Sequence, residues 1–186
     1  TYKLKPRKQL SPFETPWSMQ DHILLSMWRL TWLLLCAWTP KYINPWRLLI
    51  LKIFGAKVSG SPFVHQSVQI RIPWHLTLHN RACLGERVQV YSLGEIEVHQ
   101  NATIAQEAYL CTGTHDFNNP AFQLITKKIT IGENTFIGAR AMILPGISVH
   151  KNAVVGAQSV VSKDVATNQI VAGNPAREVG KRTIAR

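Results

Sequence analysis

The sequence predicts a mostly β protein built as a three-sided parallel β-helix, and three observations carry that prediction. Between residues 131 and 165 an aliphatic residue recurs at every sixth position: Ile131, Ile137, Ile143, Val149, Val155 and Val161. Gly follows the heading residue in three of these hexads, and a small or short residue often stands fifth. The same beat can be traced back to Val58. A period of six fits neither the 3.6 of a helix nor the alternation of a simple strand. It fits a short strand plus a turn, three of which close one triangular coil around the inward-pointing aliphatic heads. The Gly and Asn residues are expected in the turn conformations that a Cβ resists.

The 186 residues suffice for one substantial core. An apolar content of 46% argues against disordered and fibrous classes. Lys and Arg number 21 against 10 Asp and Glu, which points to an anionic partner: a membrane surface, a phosphorylated ligand or nucleic acid. The basic residues concentrate toward both chain ends rather than on an aromatic-interleaved face, so nucleic acid is not expected. Cys36, Cys83 and Cys111 are odd in number and scattered, and read as buried thiols of a reducing compartment. No small-residue cleavage site follows a short apolar core, so no secretory leader is expected.

In chain order, residues 1–17 read as an exposed basic arm, with Lys3, Lys5, Arg7 and Lys8 together and Pro6, Pro12 and Pro16 as breaks. Ser18-Met-Gln-Asp21 forms a capping box ahead of an apolar helical run from 23 to 38, which Thr39-Pro40 stops. His22, Ser26 and Arg29 fall on one polar stripe of that helix. A second helix is signalled by Asn44 as cap, Pro45 in the first turn and Gly55 beyond the end. The first run is interrupted by Arg29 and is shorter than the roughly 20 apolar residues of a membrane span. Region 1–57 is therefore expected either to cap the open end of the solenoid or to anchor at an anionic membrane surface.

The β-helix is expected over 58–165. Heads fall at Val58, Val64 and Ile70, then Leu78, Leu84 and Val90, then Val98, Ile104 and Leu110. These coils start 20 residues apart rather than 18, which places two-residue bulges near Pro73-Trp74 and Gly94-Glu95. The beat stops after Leu110 and resumes at Ile131, so residues 116–130 are predicted to form an extruded loop, where function tends to reside. Residues 166–186 leave the solenoid and end in a basic tail of Arg177, Lys181, Arg182 and Arg186.

The loop mouth carries Cys111-Thr-Gly-Thr-His115-Asp116. A histidine held by a rigid coil at a loop mouth suits a general base, and Asp116 could orient its ring or bind a substrate hydroxyl. A bond from His115 to the loop's own backbone is the plainer alternative. A Cys111 nucleophile is disfavoured, since nothing nearby would lower a thiol pKa. The other histidines, His22, His65, His75, His79, His99 and His150, mostly follow hexad heads and point outward, with no ligand-like pair beside a Cys or carboxylate. No metal is expected. A zinc hydratase on the same solenoid and a non-enzymatic basic membrane module are the competing functional readings.

Together the hexads, Thr114-His115-Asp116, Gly156-Ala-Gln-Ser-Val-Val-Ser-Lys163-Asp and Val171-Ala-Gly-Asn-Pro-Ala-Arg177 resemble the left-handed β-helix, hexapeptide-repeat O-acetyltransferases. The resemblance is closest to the colanic-acid-biosynthesis group, through the N-terminal helices, Thr39-Pro-Lys, Trp46-Arg47 and Phe54-Gly-Ala-Lys57, and extends from about Trp17 onward. It implies a left-handed coil, a homotrimer, and acetyl transfer from acetyl-CoA to a hydroxyl of a sugar or glycan acceptor, lipid-linked forms included. It implies a cytoplasmic enzyme, at most peripheral on the inner membrane face.

By motif position, the resemblance makes His115 the base and the Ala139 N–H the oxyanion donor. It places Tyr91, Ser92 and Asp116 at the acceptor, and Ala139, Ala157, Ser162, Lys163, Asn174, Ala176 and Arg177 at acetyl-CoA, in a groove between two subunits. Ser92 stands where relatives often carry Asn, and Ala139-Arg140 departs from commoner pairs, so Arg140 is expected to meet an acidic substrate group. N-acylated amines and succinyl donors also occur among β-helix acyltransferases.

Overall fold

The computed structural model describes residues 6–11 and 13–183; Lys3, Lys5, Pro12 and Arg186 lie outside them. The six-residue beat becomes five triangular coils. The first comprises β1 (Lys57–Val58), β2 (Phe63–Val64) and β3 (Gln69–Ile70). The second comprises β4 (Leu76–Leu78), β5 (Cys83–Leu84) and β6 (Gln89–Tyr91), and the third β7 (Ile96–Val98), β8 (Thr103–Ile104) and β9 (Tyr109–Cys111). A hairpin of β10 (Gly113–His115) and β11 (Leu124–Thr126) then leaves the solenoid. The fourth coil is β12 (Ile129–Ile131), β13 (Phe136–Ile137) and β14 (Met142–Ile143), and the fifth β15 (Ser148–Val149), β16 (Val154–Val155) and β17 (Val160–Val161). Closing the end, β18 (Gln169–Ala172) pairs parallel with β16 and antiparallel with β19 (Arg177–Lys181).

The strands stack into three walls: β1-β4-β7-β12-β15, β2-β5-β8-β13-β16-β18-β19, and β3-β6-β9-β14-β17. Every predicted head from Val64 onward is buried, and Val58 packs partly buried against the same core. Two residues before the heads stand Ala82, Ala102, Ala108, Ala141 and Ala153, also buried, and Val68, Val88 and Ile147 fill the same position on other turns.

The turn chemistry differs from expectation in one respect. The left-handed residue of most turns is Asn, Arg, Gln or Glu, as at Asn101, Asn134, Arg140, Asn152 and Gln158, while Gly60 and Gly146 take that conformation in two others. The Gly that follows Leu84, Ile131, Ile137 and Val155 answers a different constraint. A Cβ on Gly138 would lie 2.5 Å from Ala157 N and 2.8 Å from Val155 O, so glycine there permits close stacking of the next coil. The predicted bulges occur as a 3₁₀ turn at Pro73–His75 and a bend before β7. Coil four resumes at Ile129, two residues earlier than predicted, since three-residue strands on the first wall bury two side chains each, as Ile129 and Ile131 do beside Ile96 and Val98.

Helix α1 (Met19–Leu35) begins with the predicted capping box, Ser18 Oγ accepting from Asp21 N. It buries Leu25, Trp28 and Trp32, and Trp28 Nε1 donates to Ile70 O at 2.7 Å on the third wall. Helix α2 (Asn44–Ile53) packs on β1 and β2 and ends at Gly55, whose φ is +83°. Asn44 does not cap it. A 3₁₀ turn at Lys41–Ile43 feeds straight into the helix, and the Asn44 side chain instead accepts from Val64 N and donates to Pro62 O. Arg47, fully buried, donates to Val64 O, Thr39 Oγ1, Pro40 O and Lys41 O. The helices thus cover the open end of the first coil. Among the described residues no helix is long and apolar enough to cross a membrane. The arm is not wholly exposed: Gln9 is buried and its Oε1 accepts from Leu124 N at 3.0 Å.

Candidate active site

His115 ends β10 at the mouth of the extruded hairpin, opposite Leu124 in the antiparallel register. The hairpin's root is fixed by buried Thr112, whose hydroxyl donates to Tyr91 O at 2.6 Å and accepts from Gly94 N at 2.9 Å, while its carbonyl accepts from Lys127 N. Across the hairpin, His115 Nδ1 lies 2.5 Å from Phe122 O. A carbonyl can only accept, so Nδ1 carries the proton and Nε2 is the basic nitrogen of the neutral ring. The bond to the loop's own backbone is therefore present, and it leaves Nε2 without a hydrogen bond among the described residues, on an exposed side chain. Phe122, which supplies that carbonyl, has φ +48°.

Asp116 orders the hairpin tip: its Oδ1 accepts from Asn118 N at 3.0 Å, and its backbone joins Gln123 and Asn119. Cys111 is buried and its thiol donates to Gly113 O at 3.3 Å. All three cysteines are free. Burial pushes the Cys36 thiol up to about 11, with Arg47 pulling the other way, and burial also raises Cys83. Neither of these two is an activated nucleophile.

A groove of about 740 Å³ runs between α1 and the third wall, with Ser26, Arg29, Gln69, Arg71, Tyr91 and Tyr109 along it. Burial and the neighbouring Cys111 thiol push the Tyr109 phenol up, so it stays a neutral donor. Tyr91 meets Tyr109 edge-on at 6.0 Å and reaches the hairpin root, where its Cε1 lies 3.3 Å from the position of a Cβ on Gly113. The groove therefore opens toward the hairpin that bears His115.

Ser92 does not face this space. It is fully buried, its hydroxyl donates to Ile72 O at 2.8 Å and accepts from Ile72 N at 2.9 Å, and its carbonyl faces His75 Nδ1 at 3.0 Å. Both capacities of the hydroxyl are spent on bracing the bulged corner, which corrects the expectation of acceptor contact. Arg140 is likewise engaged: its Nε and Arg87 Nη2 bracket the Glu107 carboxylate at 2.5 and 2.6 Å, in place of the expected substrate acid.

Ala139 lies on the turn between β13 and β14, at the corner of the second and third walls. Its carbonyl accepts from Gln158 N, and its own N–H makes no hydrogen bond among the described residues. Ala157 occupies the equivalent turn one coil on, and is exposed. The segment bearing Asn174 and Ala176 lies beside them, with Val160 N donating to Gly173 O and Ala176 N to Val160 O. Ser162, Lys163 and Arg177 are exposed, and neither Lys163 nor Arg177 forms an ion pair among the described residues. One chain therefore gathers Ala139, Ala157, Asn174 and Ala176 along one corner. His115 leaves from another corner, between the third and first walls. The two are not brought together within a single chain.

Three groups escaped the sequence reading. Gln9 braces the hairpin from the arm, and no local pattern signals it. Arg47 holds the helical cap through backbone carbonyls. His79, Glu97 and His99 converge on the first wall, contrary to the expectation that no histidine pair has a carboxylate at ligand spacing. The 20-residue coil length, already visible in the heads, would have aligned His79 with His99.

A three-walled parallel β-helix wound on a six-residue repeat is the architecture of the hexapeptide-repeat acetyltransferases. The family described as "Bacterial transferase hexapeptide (six repeats)" matches residues 128–163. The chain is 34% identical over 177 residues to the putative colanic acid biosynthesis acetyltransferase WcaF of Escherichia coli (strain K12), covering 94% of this chain and 97% of that one. Among solved structures, the hexapeptide-repeat acetyltransferase VCA0836 from Vibrio cholerae complexed with acetyl coenzyme A superposes with a TM-score of 0.79 at 18% identity, covering 88% of this chain and 90% of that one. A galactoside acetyltransferase in complex with coenzyme A gives 0.76 at 20% identity, covering 86% and 81%. The chain belongs to the hexapeptide-repeat acetyltransferase family, and is an acetyltransferase.

Proposed function

We propose that the protein transfers the acetyl group of acetyl-CoA to a hydroxyl of a sugar or glycan acceptor, in exopolysaccharide or cell-surface glycan assembly. The observation that carries this reading is the exposed His115 ring at the hairpin mouth, fixed through Nδ1 to the Phe122 carbonyl. The colanic-acid name of the WcaF relative supports the glycan setting, and the acetyl-CoA and CoA complexes of the structural neighbours support the donor.

In this mechanism His115 Nε2 takes the proton of the acceptor hydroxyl as its oxygen attacks the thioester carbonyl carbon. The Ala139 N–H, lacking an internal partner, donates to the oxyanion that forms. Collapse breaks the C–S bond, the ester is released, and the departing thiolate recovers the proton from His115. No acyl-enzyme forms. Lys163 and Arg177 meet the phosphates of the donor, with Ala157, Ser162, Asn174 and Ala176 along its path. The acceptor lies by Tyr91 in the groove beside α1, with Asp116 holding the hairpin over it. Because His115 and Ala139 sit on different corners of one prism, the site is completed between neighbouring chains of a homotrimer.

The outer face of α1 supports a peripheral membrane contact. Met19, Ile23, Met27, Leu30, Leu33 and Leu34 are all more than half exposed, and residues 1–57 carry nine Lys or Arg against Glu14 and Asp21. An anionic bilayer matches both features and would bring a lipid-linked acceptor to the groove. On this reading 1–57 is a cap and an anchor at once, 58–165 the transferase solenoid, and 166–186 the donor-side segment.

The function is tested by incubating the full chain with acetyl-CoA and a panel of glycan acceptors. A product one acetyl group heavier by mass spectrometry, formed together with free CoA thiol, is expected. Thiol release with no acylated glycan in any arm would contradict it.

A further inference from the structure

On the first wall, β4 and β7 pair in parallel register, Thr77 with Glu97 and Leu78 with Val98, so the next residues, His79 and His99, fall one above the other. Their rings stack with centroids 4.8 Å apart and planes 7° from parallel. Glu97 precedes His99 by two, which in a strand puts both side chains on the same outer face. Its Oε1 lies 3.1 Å from His79 Nε2 and 3.5 Å from His99 Nε2, and the three donor atoms all fall within 4.8 Å of one another.

We propose that His79 Nε2, His99 Nε2 and Glu97 Oε1 form a binding site for a divalent late first-row transition metal, zinc being the simplest occupant. Donors at zinc bonding distance in a tetrahedral arrangement stand roughly 3.3 to 3.6 Å apart, close to the two carboxylate–imidazole separations here. Two imidazoles and one carboxylate form a donor set that suits such ions and leaves coordination positions open to water. The outer partners fit as well. Lys128 Nζ lies 2.6 Å from Glu97 Oε2, leaving Oε1 toward the rings. Ser59 Oγ stands 3.5 Å from His79 Nδ1, where it can accept the ring proton once the ion displaces that proton from Nε2, which faces Glu97 Oε1. Binding turns the two rings from parallel stacking toward planes that meet at the ion. The side chains, 35% and 38% exposed, have room for that rotation.

The site clasps the second and third coils from outside, on a wall that carries neither the α1 groove nor the Ala139 corner. Its role is structural, and the proposed acetyl transfer does not pass through it. The proposal does not depend on the transferase mechanism.

Full-length protein freed of metal by chelator and dialysis is titrated with Zn²⁺ by calorimetry and with Co²⁺ by visible absorption. One saturable ion per chain is expected, with Co²⁺ bands of an imidazole–carboxylate site. His79→Ala, His99→Ala and Glu97→Gln should each weaken binding at least about tenfold, while His65→Ala, a histidine outside the cluster, should not. Thermal unfolding of the metal-free variants confirms that each is folded. Absence of saturable binding, or equal affinity in the three cluster variants and wild type, would overturn the site.

Discussion

His115 donates through Nδ1 to the carbonyl of Phe122, seven residues on, across the mouth of the hairpin at 2.5 Å. The ring is thus oriented by a backbone carbonyl that itself belongs to a residue in the left-handed region, at φ +48°. A non-glycine residue held there is strained unless its surroundings enforce the conformation. Those surroundings include Phe122 N donating to Asn119 O and Gln9 reaching in from the arm to Leu124.

Gln9→Ala tests this bracing. It removes two hydrogen bonds, that of Gln9 Nε2 to Glu14 O and that of Leu124 N to Gln9 Oε1, and the loss at Leu124 N is an effect of about 1 kcal/mol on the hairpin. Turnover is expected to fall several-fold while the melting temperature of the solenoid moves little. Unchanged turnover would mean that the arm does not hold the hairpin.

Arg47→Met should act on the whole fold. The guanidinium satisfies three backbone carbonyls and Thr39 Oγ1 where α2 covers the first coil, with no carboxylate among those partners. Losing it strands buried acceptors and should destabilise the protein by about 3 kcal/mol. Denaturant unfolding checks this, and a change below the error of the midpoint would contradict the assigned role.

Legibility in the sequence followed the range of each interaction. The hexad heads obey a local rule, a strand and a turn every six residues, so the interior of the prism could be read from Val58 to Val161. The interruption was legible for the same reason, and with it His115. Ser92 was misread because its orientation depends on Ile72 in the coil below and on the bulge at Pro73–His75. Asn44 looked like a cap until the preceding 3₁₀ turn made a cap unnecessary. Gln9 and Leu124 are 115 positions apart, a separation at which no periodicity operates.

Leu30→Glu with Leu34→Glu tests the membrane reading, since both side chains are 57% exposed and point away from the core. Wild-type protein should co-sediment with anionic vesicles and less so with neutral ones or at high salt. The double variant should stay in the supernatant with its melting temperature intact. Equal sedimentation of the two proteins would remove the anchor and leave the helix as a cap.

The proposed sharing of the site between chains of a homotrimer predicts complementation. His115→Ala and the double variant Lys163→Glu, Arg177→Glu should each be inactive alone. Unfolded together and refolded as mixed trimers, they should recover about a quarter of wild-type sites, the fraction in which an intact histidine meets an intact donor corner in a cyclic assembly. No recovery, in mixtures shown to exchange subunits, would place the whole site within one chain.

The rate of free thiol release from acetyl-CoA in His115→Ala, with an acceptor that wild type uses, tests the central assignment most directly. A loss of roughly 10² to 10⁴-fold, with thermal stabilisation by CoA unchanged, is the predicted result. A variant that turns over at the wild-type rate would contradict it.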